Sequence, residues 1–299
     1  MTQVTISVPA TSANLGPGFD CLGIALNLYN HVTFTAVSEP TLQITATGTD
    51  AHKVSTDESN LVYQCAHIIF EKIGKRPSGL VIEQKNNIPV GSGLGSSSTA
   101  VLAGMLGANE LLKRPFTLAE ILQFATEKEG HPDNVAPALY GGLVLGVGHG
   151  DNLHIEQIEI PQQTVVVVLP DFNLLTSDAR NALPKTVSLQ DAIFNASRTP
   201  LVVRALEKGD YNLLALAMDD KLHQPYRMPL IPGIEAAAAA AKKAGAKAVA
   251  LSGAGPSLIA FAQSKHTQIG EAMADAFQNV GLNSRIWTLE FDVSGTKIN

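Results

Sequence analysis

The sequence predicts an α+β protein of two domains, and three observations support this. Strand-like and helix-like patterns are intermixed along the chain, without the regular alternation of a doubly wound sheet. The length of 299 residues is large for one hydrophobic core and ordinary for two. The least interrupted place to divide the chain lies near Pro161. We therefore predict domains at residues 1–160 and 161–299.

Period and capping patterns predict the elements of the first domain. Alternation of apolar and polar residues is typical of strands, and apolar residues three or four apart are typical of helices. Thr117 and Glu120 have the spacing of a capping box, which marks a helix start, and Gly130 follows as a stop signal. Strands are predicted at 4–8, 32–34 and 80–82, and helices at 60–73, 97–112 and 118–129. A hairpin is predicted from 142–148 and 153–160, with its turn at 149–152.

Apolar runs and turn residues predict the elements of the second domain. The run of valines within 165–169 is typical of a buried strand. Ser188 begins a helical region in which Pro200 marks a kink or a second start. The alanine run after Pro232-Gly233 favours a helix, which Gly245 ends. The remaining predicted elements are strands at 248–252 and 258–261 around a glycine-rich turn, and a final strand at 285–291.

Composition and charge exclude several classes of protein. The net charge is −6 and the chain has no run of basic residues, which argues against nucleic acid as a partner. The longest apolar stretch, around 236–241, is far shorter than a membrane span, and residues 1–4 lack the features of a signal peptide. Cys21 and Cys65 are too few for a disulfide framework or a four-cysteine metal site. We therefore expect a soluble cytoplasmic protein with neither a membrane nor a nucleic-acid partner.

A segment rich in glycine and serine is the strongest functional signal in the chain. Glycines at alternate positions allow backbone N–H groups to crowd around an anion, and a helix that starts just after them adds free donors and the positive end of its dipole. Serine hydroxyls can donate to phosphate, and their oxygens can bind Mg²⁺. The predicted phosphate-binding segment, called the phosphate loop below, consists of Pro89, Val90, Gly91, Ser92, Gly93, Leu94, Gly95, Ser96, Ser97, Ser98 and Thr99.

Two common phosphate-binding motifs do not fit the phosphate loop. A Walker-type loop needs Lys-Ser or Lys-Thr after its last glycine, whereas no lysine occurs between Lys85 and Lys113. A dinucleotide fingerprint needs a glycine where Ser96 stands, and it needs a strand directly before its first glycine. For the segment taken alone, the alternative is a flexible glycine-serine turn without a ligand.

Six segments together resemble motifs of the GHMP small-molecule kinases and, within that superfamily, of the homoserine kinase family. They occur in family order from residue 9 to residue 257, so the resemblance covers almost the whole chain. Each segment alone is a weak signal, whereas the set is specific. The segments are Pro9 to Asp20 (PATSANLGPGFD), the phosphate loop, His131 to Pro137 (HPDNVAP), Thr176 to Arg180 (TSDAR), His223 to Arg227 (HQPYR) and Leu251 to Ser257 (LSGAGPS).

The resemblance implies a fold, cofactors and a reaction. It implies an N-terminal ribosomal-S5-like domain and a C-terminal ferredoxin-like domain, with the active site between them. It also implies ATP and Mg²⁺ as cofactors, L-homoserine as the substrate, O-phospho-L-homoserine as the product, and a place in threonine biosynthesis. A homodimer is a further implication, for which the sequence has no interface pattern of its own.

The resemblance also assigns residues that would hold the amino acid. Asn14 and Asp20 flank a tight loop and, taken alone, are also typical of residues that cap a turn; the matching positions of the family contact homoserine. Arg180 and Arg227 match arginines that bind the substrate carboxylate or neighbouring groups, a task that suits the guanidinium fork. Thr176 would share a helical face with Arg180 if a helix starts there.

The nucleotide and its metal ion have their own candidate residues. The resemblance places a magnesium-binding carboxylate just before the segment that begins at His131, and we assign it to Glu129, with Glu127 as the alternative. Ser97 or Ser98 would supply a hydroxyl oxygen to the same ion. Asn60 is typical of a helix cap, and the matching residue of the family contacts adenine.

Asn134 determines the mechanism that we predict. Several GHMP kinases have at this position an Asp that can accept the hydroxyl proton, and an amide cannot do so. General-base help is worth about 10²–10⁴-fold, whereas positioning alone reaches effective concentrations of about 10⁵–10⁸ M. Phosphoryl transfer through a loose transition state also demands little early deprotonation. We therefore expect catalysis by positioning and charge stabilisation, with Asn134 and Arg180 as catalytic residues.

Two alternatives to this function remain at the level of sequence. The first is another GHMP kinase that acts on mevalonate, a sugar or an isoprenoid precursor. Asn134 and the two motif arginines, Arg180 and Arg227, favour an amino acid over these substrates. The second is a non-catalytic nucleotide-binding protein of the same fold, against which the intact glycines, hydroxyls and candidate metal carboxylate argue.

Overall fold

The strands form two separate sheets in the computed structural model, which describes residues 2–148 and 150–299. The strands in chain order are β1 (Thr2–Ala13), β2 (Leu22–Val37), β3 (Leu42–Gly48), β4 (Gly79–Asn86), β5 (Leu143–Val147), β6 (His154–Ile158), β7 (Thr164–Pro170), β8 (Ala248–Leu251), β9 (Leu258–Phe261), β10 (Ser284–Glu290) and β11 (Lys297–Ile298). The first sheet runs in the order β11-β1-β2-β4-β3, with the β5-β6 hairpin added to β2. The second runs in the order β10-β7-β9-β8.

The helices pack against these sheets. In chain order they are α1 (Leu61–Ile73), α2 (Ser96–Leu111), α3 (Leu118–Glu129), α4 (Val135–Tyr140), α5 (Thr176–Asn181), α6 (Leu189–Lys208), α7 (Tyr211–Ala217), α8 (Gln224–Arg227), α9 (Ile234–Ala244) and α10 (His266–Gln278). Within the described part of the chain, none of them combines the length and the apolar character that a membrane-spanning helix needs.

The core of the first domain lies between its sheet and the helices α1 to α4. Alternate residues of the long β1–β2 ladder, such as Ile6, Val8 and Phe34, point into this core and are fully buried. Helix α2 packs among them and is buried over most of its circumference. Because α2 is fixed on all sides, its N-terminus and the phosphate loop before it have a defined position.

The second sheet buries both of its faces, which explains the continuous valine run of β7. Val166 and Val168 pack against α9 and α10, whereas Val165 and Val167 face α6 and α7. The core on that second side also contains residues of the first domain, among them Leu15. The two domains therefore share a hydrophobic core, and the loops at its edge are held in one arrangement.

The structure departs from the sequence-based elements at several places. The strand predicted at 285–291 is β10, but it is not the final strand, because β11 returns to the first sheet and pairs with β1. The predicted domain boundary at residue 160 therefore stays a prediction. One boundary does not fully describe the chain, because β11 lies in the sheet of the first domain. Pro200 lies inside one continuous helix, α6, rather than at a second start. The turn residue His149 lies outside the described residues.

Candidate active site

Three glycines give the phosphate loop its backbone conformation. Gly91, Gly93 and Gly95 all have positive φ, at 67°, 77° and 72°. These values are ordinary for glycine and strained for other residues. Gly95 is also the N-cap of α2, a helix of 16 residues whose first turn leaves backbone N–H groups without carbonyl partners. The loop therefore presents free donors at the positive end of a long helix dipole.

The second domain holds the phosphate loop from behind. The Ser252 hydroxyl donates to the carbonyl oxygen of Gly93 at 2.7 Å, and the backbone N–H of Ser257 donates to the carbonyl oxygen of Ser92 at 3.3 Å. The glycine-rich turn between these two serines lies against the loop. These bonds engage carbonyl oxygens of the loop and leave its N–H donors for a ligand.

The close contact at Gly93 supports a first prediction. A Cβ atom built on Gly93 would lie 2.4 Å from the carbonyl oxygen of Ser252, whereas one on Gly91 meets nothing nearer than 3.9 Å. Because both substitutions carry a similar backbone strain, Gly91→Ala is a matched control for Gly93→Ala. We expect Gly93→Ala to be less stable than Gly91→Ala by about 1–3 kcal/mol, the usual effect of overpacking. Equal free energies of unfolding of the two variants in urea would contradict the close packing of Ser252 against Gly93.

Glu129 is brought to the serines at the start of α2. One of its carboxylate oxygens accepts a hydrogen bond from Ser97 Oγ at 2.7 Å, and the other accepts one from Ser98 Oγ at 2.7 Å. Glu129 is the last residue of α3, which Gly130 ends in a left-handed conformation. Glu127 is exposed and accepts from Gln123 on the same helix instead. The geometry therefore favours Glu129 over Glu127 as the candidate metal ligand.

The loop between β1 and β2 is held by the side chain of Asn14. Its Nδ2 donates to the carbonyl oxygen of Gly253 at 2.9 Å, and its Oδ1 accepts from the backbone N–H of Asp20 at 2.9 Å. Asn14 and Asp20 both have positive φ, at 70° and 59°. Arg180 Nη1 lies 2.8 Å from a carboxylate oxygen of Asp20, and this hydrogen bond raises the pKa of Arg180. Asn14 thus fixes the loop, and Asp20 with Arg180 forms an exposed ion pair at the mouth of the site.

Arg227 is a buried cation without a carboxylate partner among residues 2–148 and 150–299. Its side chain is 2% exposed, and its nitrogens donate to the carbonyl oxygens of Ala179 at 3.2 Å and Gly253 at 3.4 Å. Burial lowers the pKa of Arg227, but an arginine in a protein stays charged. A buried charge is costly unless an ion pairs with it. Within the described residues, the site therefore contains a buried cation without a direct ion pair, which suits an anionic ligand.

His223 orients Arg227 and the substrate-side loop. Burial lowers the pKa of His223, so the ring is neutral. Its Nε2 lies 2.8 Å from the carbonyl oxygen of Gly16 and must donate there, which leaves Nδ1 as an acceptor 3.4 Å from Arg227 Nη1. The ring also stacks on Phe19 at 5.2 Å. His223 therefore connects the arginine to the loop that carries Asp20.

His131, Asp133 and Asn134 form a polar cluster beside the phosphate loop. His131 Nδ1 lies 2.5 Å from Asp133 Oδ1, and Asn134 Nδ2 donates to the same oxygen at 3.3 Å. Asn134 Oδ1 accepts from the hydroxyl of Thr11 at 2.7 Å. The hydrogen bond that His131 donates to the Asp133 carboxylate raises the pKa of His131. Asp133 faces the site together with Asn134.

The pairing of His131 with Asp133 supports a second prediction. We expect the ring protons of His131 to titrate above the ordinary value of 6.5 in an NMR titration, and Asp133→Asn to lower that midpoint. His31 serves as a control, because burial lowers its pKa. Since the pKa of His131 is raised by folding, its contribution to stability is present below the ordinary pKa and is lost as the pH rises through the raised one. An unchanged midpoint in Asp133→Asn would contradict the assigned pair.

These groups line one cavity, called the large cavity below, of about 460 Å³. Its lining includes most of the predicted site residues, namely Asn14, Asp20, Gly91, Ser92, Gly93, Gly95, Ser96, Ser97, Ser98, Glu129, Asn134, Thr176, Arg180 and Arg227. Thr176 begins α5, as the shared face with Arg180 required. The large cavity therefore joins the phosphate loop to both motif arginines.

A second cavity of about 280 Å³, called the side cavity below, meets the large one at the phosphate loop. Both are lined by Gly91, Ser96 and Ser97. Val90 and Asn60 line the side cavity, and Asn60 also caps α1. The predicted loop residues whose side chains line neither cavity are Pro89, Leu94 and Thr99. The two cavities together form a continuous groove across the loop.

Sequence reasoning missed that His131 and Asp133 line the large cavity. One potential metal-ligand atom of each of His131, Asp133 and Asp20 lies within 4.8 Å of the other two. The segment HPDNVAP contained the signal, because the polar residues His131 and Asp133 stand three and one positions before Asn134. Nothing in the local pattern indicates that Asp133 and Asn134 face the same cavity, since that depends on the irregular turn before α4.

Comparison with known proteins shows the family of the chain. Residues 60–142 match the family described as GHMP kinases N terminal domain, and residues 202–279 match GHMP kinases C terminal. A homoserine kinase from Crocosphaera subtropica is 47% identical over 303 residues, which covers 100% of this chain and 98% of that protein. The chain belongs to the homoserine kinase family. The predicted two-domain α+β fold of the GHMP kinases is confirmed.

Further relatives support the family and its fold. A homoserine kinase from Moorella thermoacetica is 45% identical, covering 94% of this chain and 95% of that protein. The crystal structure of homoserine kinase from Cytophaga hutchinsonii superposes with a TM-score of 0.89 at 32% identity, covering 100% of this chain and 98% of that one. The mevalonate kinase of L. major, at 19% identity and a TM-score of 0.70, shares the fold.

Proposed function

We propose that this homoserine kinase family member transfers the γ-phosphoryl group of ATP to the side-chain hydroxyl of L-homoserine and releases ADP and O-phospho-L-homoserine. One observation carries the proposal: a single cavity is lined both by the phosphate loop, called its phosphate end, and by Arg180 and Arg227, called its amino-acid end. The first end suits a polyphosphate, and the second suits the carboxylate of an amino acid. A homodimer in the cytoplasm, which the resemblance implied, is part of the same proposal.

The phosphate end would hold the nucleotide with its metal ion. The N-terminus of α2 and the loop before it offer backbone donors to the phosphates. Ser97, Ser98 and Glu129 offer hard oxygen atoms, two hydroxyls and a carboxylate, which is the donor set that Mg²⁺ prefers. Mg²⁺ bound there would neutralise charge on the phosphate oxygens. The residues present therefore fit the ion.

The other end would hold both charges of the zwitterionic amino acid. Arg227 is buried and has no carboxylate partner among the described residues, so it would bind the substrate carboxylate. Asp20 and Arg180 form an ion pair whose side chains are 30% and 48% exposed. Such a pair is weak in water. A zwitterion can replace it at little cost, with its ammonium on Asp20 and its carboxylate near Arg180.

The reaction then depends on placement. Asn134 lines the same cavity, where its amide would orient the hydroxyl that attacks the γ-phosphorus. The new O–P bond forms as the bond to ADP breaks, and the hydroxyl proton leaves to a phosphate oxygen or to water. Asp133 already accepts from His131 and Asn134, and is 2% exposed. The proposed mechanism therefore uses positioning and charge stabilisation in place of a general base.

A coupled assay of ADP release tests the proposed function. The protein is given Mg²⁺ and ATP with one acceptor at a time: L-homoserine, mevalonate or a hexose, with a reaction lacking acceptor as the control. We expect rapid ADP release with L-homoserine alone. Turnover with another alcohol but not with L-homoserine would refute the substrate, and ATP binding without any turnover would support a non-catalytic protein.

A further inference from the structure

The hydroxyl of Thr11 is a buried donor that is bonded to the amide of Asn134. Thr11 lies on β1 and is fully buried. Its Oγ1 donates to Asn134 Oδ1 at 2.7 Å, an ideal length for a bond between a hydroxyl and a carbonyl oxygen. Asn134 is the N-cap residue of α4, yet its side chain makes no capping bond to that helix. The contact with Thr11 therefore fixes the oxygen of the amide, in place of the helix.

The nitrogen of the same amide faces Asp133. Asn134 Nδ2 lies 3.3 Å from Asp133 Oδ1, and an ionised carboxylate only accepts hydrogen bonds. The amide nitrogen must therefore be on the side of Asp133, and the amide oxygen on the side of the Thr11 hydroxyl. One hydrogen of Nδ2 goes to Asp133, and the second has no acceptor among residues 2–148 and 150–299. Since Asn134 lines the large cavity, this second hydrogen is available to a ligand there.

Thr11 also lies against the phosphate loop. Its backbone N–H donates to the carbonyl oxygen of Leu94 at 3.1 Å. A Cβ atom built on Gly95 would lie 2.1 Å from Thr11 Oγ1 and 3.3 Å from Asn134 Oδ1. The bond between Thr11 and Asn134 therefore occupies the space that a side chain at position 95 would take. Thr11 thus connects the loop, which would hold the phosphates, to the amide that would hold the attacking hydroxyl.

We propose that Thr11 is a positioning residue, which holds the Asn134 amide with its nitrogen toward the hydroxyl of the substrate. This rests on the proposed function, namely that the protein phosphorylates an alcohol in the large cavity. Nδ2 would donate to the hydroxyl oxygen and so occupy one of its two lone pairs. The other lone pair forms the bond to the γ-phosphorus as the bond to ADP breaks. The hydroxyl proton goes to a phosphate oxygen or to water, because the amide oxygen is already bonded to Thr11.

Substitution of Thr11 tests this role through separate kinetic and binding constants. Thr11→Val keeps the shape of the side chain and removes its hydroxyl. We expect it to lower kcat for ADP release with L-homoserine by about 10- to 100-fold, the scale on which a small displacement slows a reaction. The KM for L-homoserine and the Kd for ATP, measured by calorimetry, should stay near their wild-type values, because Arg227 and the phosphate loop are unchanged. Thr11→Ser keeps the hydroxyl and should retain most of the wild-type kcat.

A double substitution separates positioning from a general structural effect. Asn134→Ala removes the amide and should lower kcat by about 100-fold, the effect of losing one donor at the reacting atoms. Adding Thr11→Val should then lower kcat no further, because residues that act through one contact are not additive. A second loss in the double variant, as large as that of Thr11→Val alone, would overturn the proposal. So would a Thr11→Val protein with the wild-type kcat, or one whose only defect is a raised Kd for ATP.

A second threonine and the wild-type protein supply the controls. Thr126→Val makes the same change at a buried threonine of α3, whose hydroxyl has no hydrogen-bond partner in the described part of the chain, and it should have wild-type constants. A thermal melt establishes that each variant is folded, and Thr11→Ala replaces Thr11→Val if that variant is not. A wild-type protein that releases no ADP with L-homoserine would refute the proposed function and the role of Thr11 together. With an active wild type, the variants decide the role of Thr11 alone.

Discussion

Arg227→Ala is expected to raise the KM for L-homoserine by about 100-fold, the effect of losing charge-assisted hydrogen bonds to a carboxylate. The Kd for ATP should stay near its wild-type value, because the nucleotide is assigned to the phosphate loop and Glu129, neither of which Arg227 hydrogen-bonds. Arg227→Lys should give an intermediate KM, since it keeps the charge and loses the planar fork. Steady-state kinetics and nucleotide titration measure the two constants.

The control for Arg227→Ala is another arginine of the same domain. Arg204 is exposed on α6 and pairs with Glu207, so Arg204→Ala should leave both constants unchanged. Because Arg227 also bonds the carbonyl oxygens of Ala179 and Gly253, a thermal melt must establish that Arg227→Ala is folded at the assay temperature. Equal weakening of homoserine and ATP binding would refute the assignment of Arg227 to the substrate carboxylate.

Glu129→Gln is expected to lower kcat by about 100-fold, the usual effect of removing one electrostatic contact from a transition state. The amide keeps the size of the side chain, so the hydrogen bonds to Ser97 and Ser98 can be replaced while the negative charge is lost. The Mg²⁺ concentration that gives half-maximal activity should rise, and the KM for L-homoserine should change little. Steady-state assays over a range of Mg²⁺ concentrations measure all three quantities.

Glu127→Gln is a matched control, because it makes the same change two residues earlier on the exposed side of α3. It should behave as the wild type. If Glu127→Gln impairs turnover and Glu129→Gln does not, the metal carboxylate is Glu127, the alternative that the sequence left open.

Local patterns predicted the parts of the molecule that depend on neighbouring residues. The capping box of Thr117 and Glu120 has both of its reciprocal hydrogen bonds. Gly95 takes the left-handed conformation directly before α2, at the start of the helix that the phosphate loop implied. Such features are set by backbone sterics and by residues three or four positions apart, so a single sequence contains the information for them.

Long-range placement could not be predicted in the same way. The pairing of β11 with β1 joins the two ends of the chain, and no short pattern indicates such a contact. The burial of Arg227 likewise emerges only when the neighbouring elements are in place.

A crystal structure of the protein with Mg²⁺, a non-hydrolysable ATP analogue and L-homoserine is the most direct measurement. The expected result has the triphosphate on the backbone N–H groups of Gly91 to Ser98, the metal ion at Glu129, and the homoserine carboxylate at Arg227. A nucleotide bound outside the two cavities, with the phosphate loop empty, would contradict the proposed function.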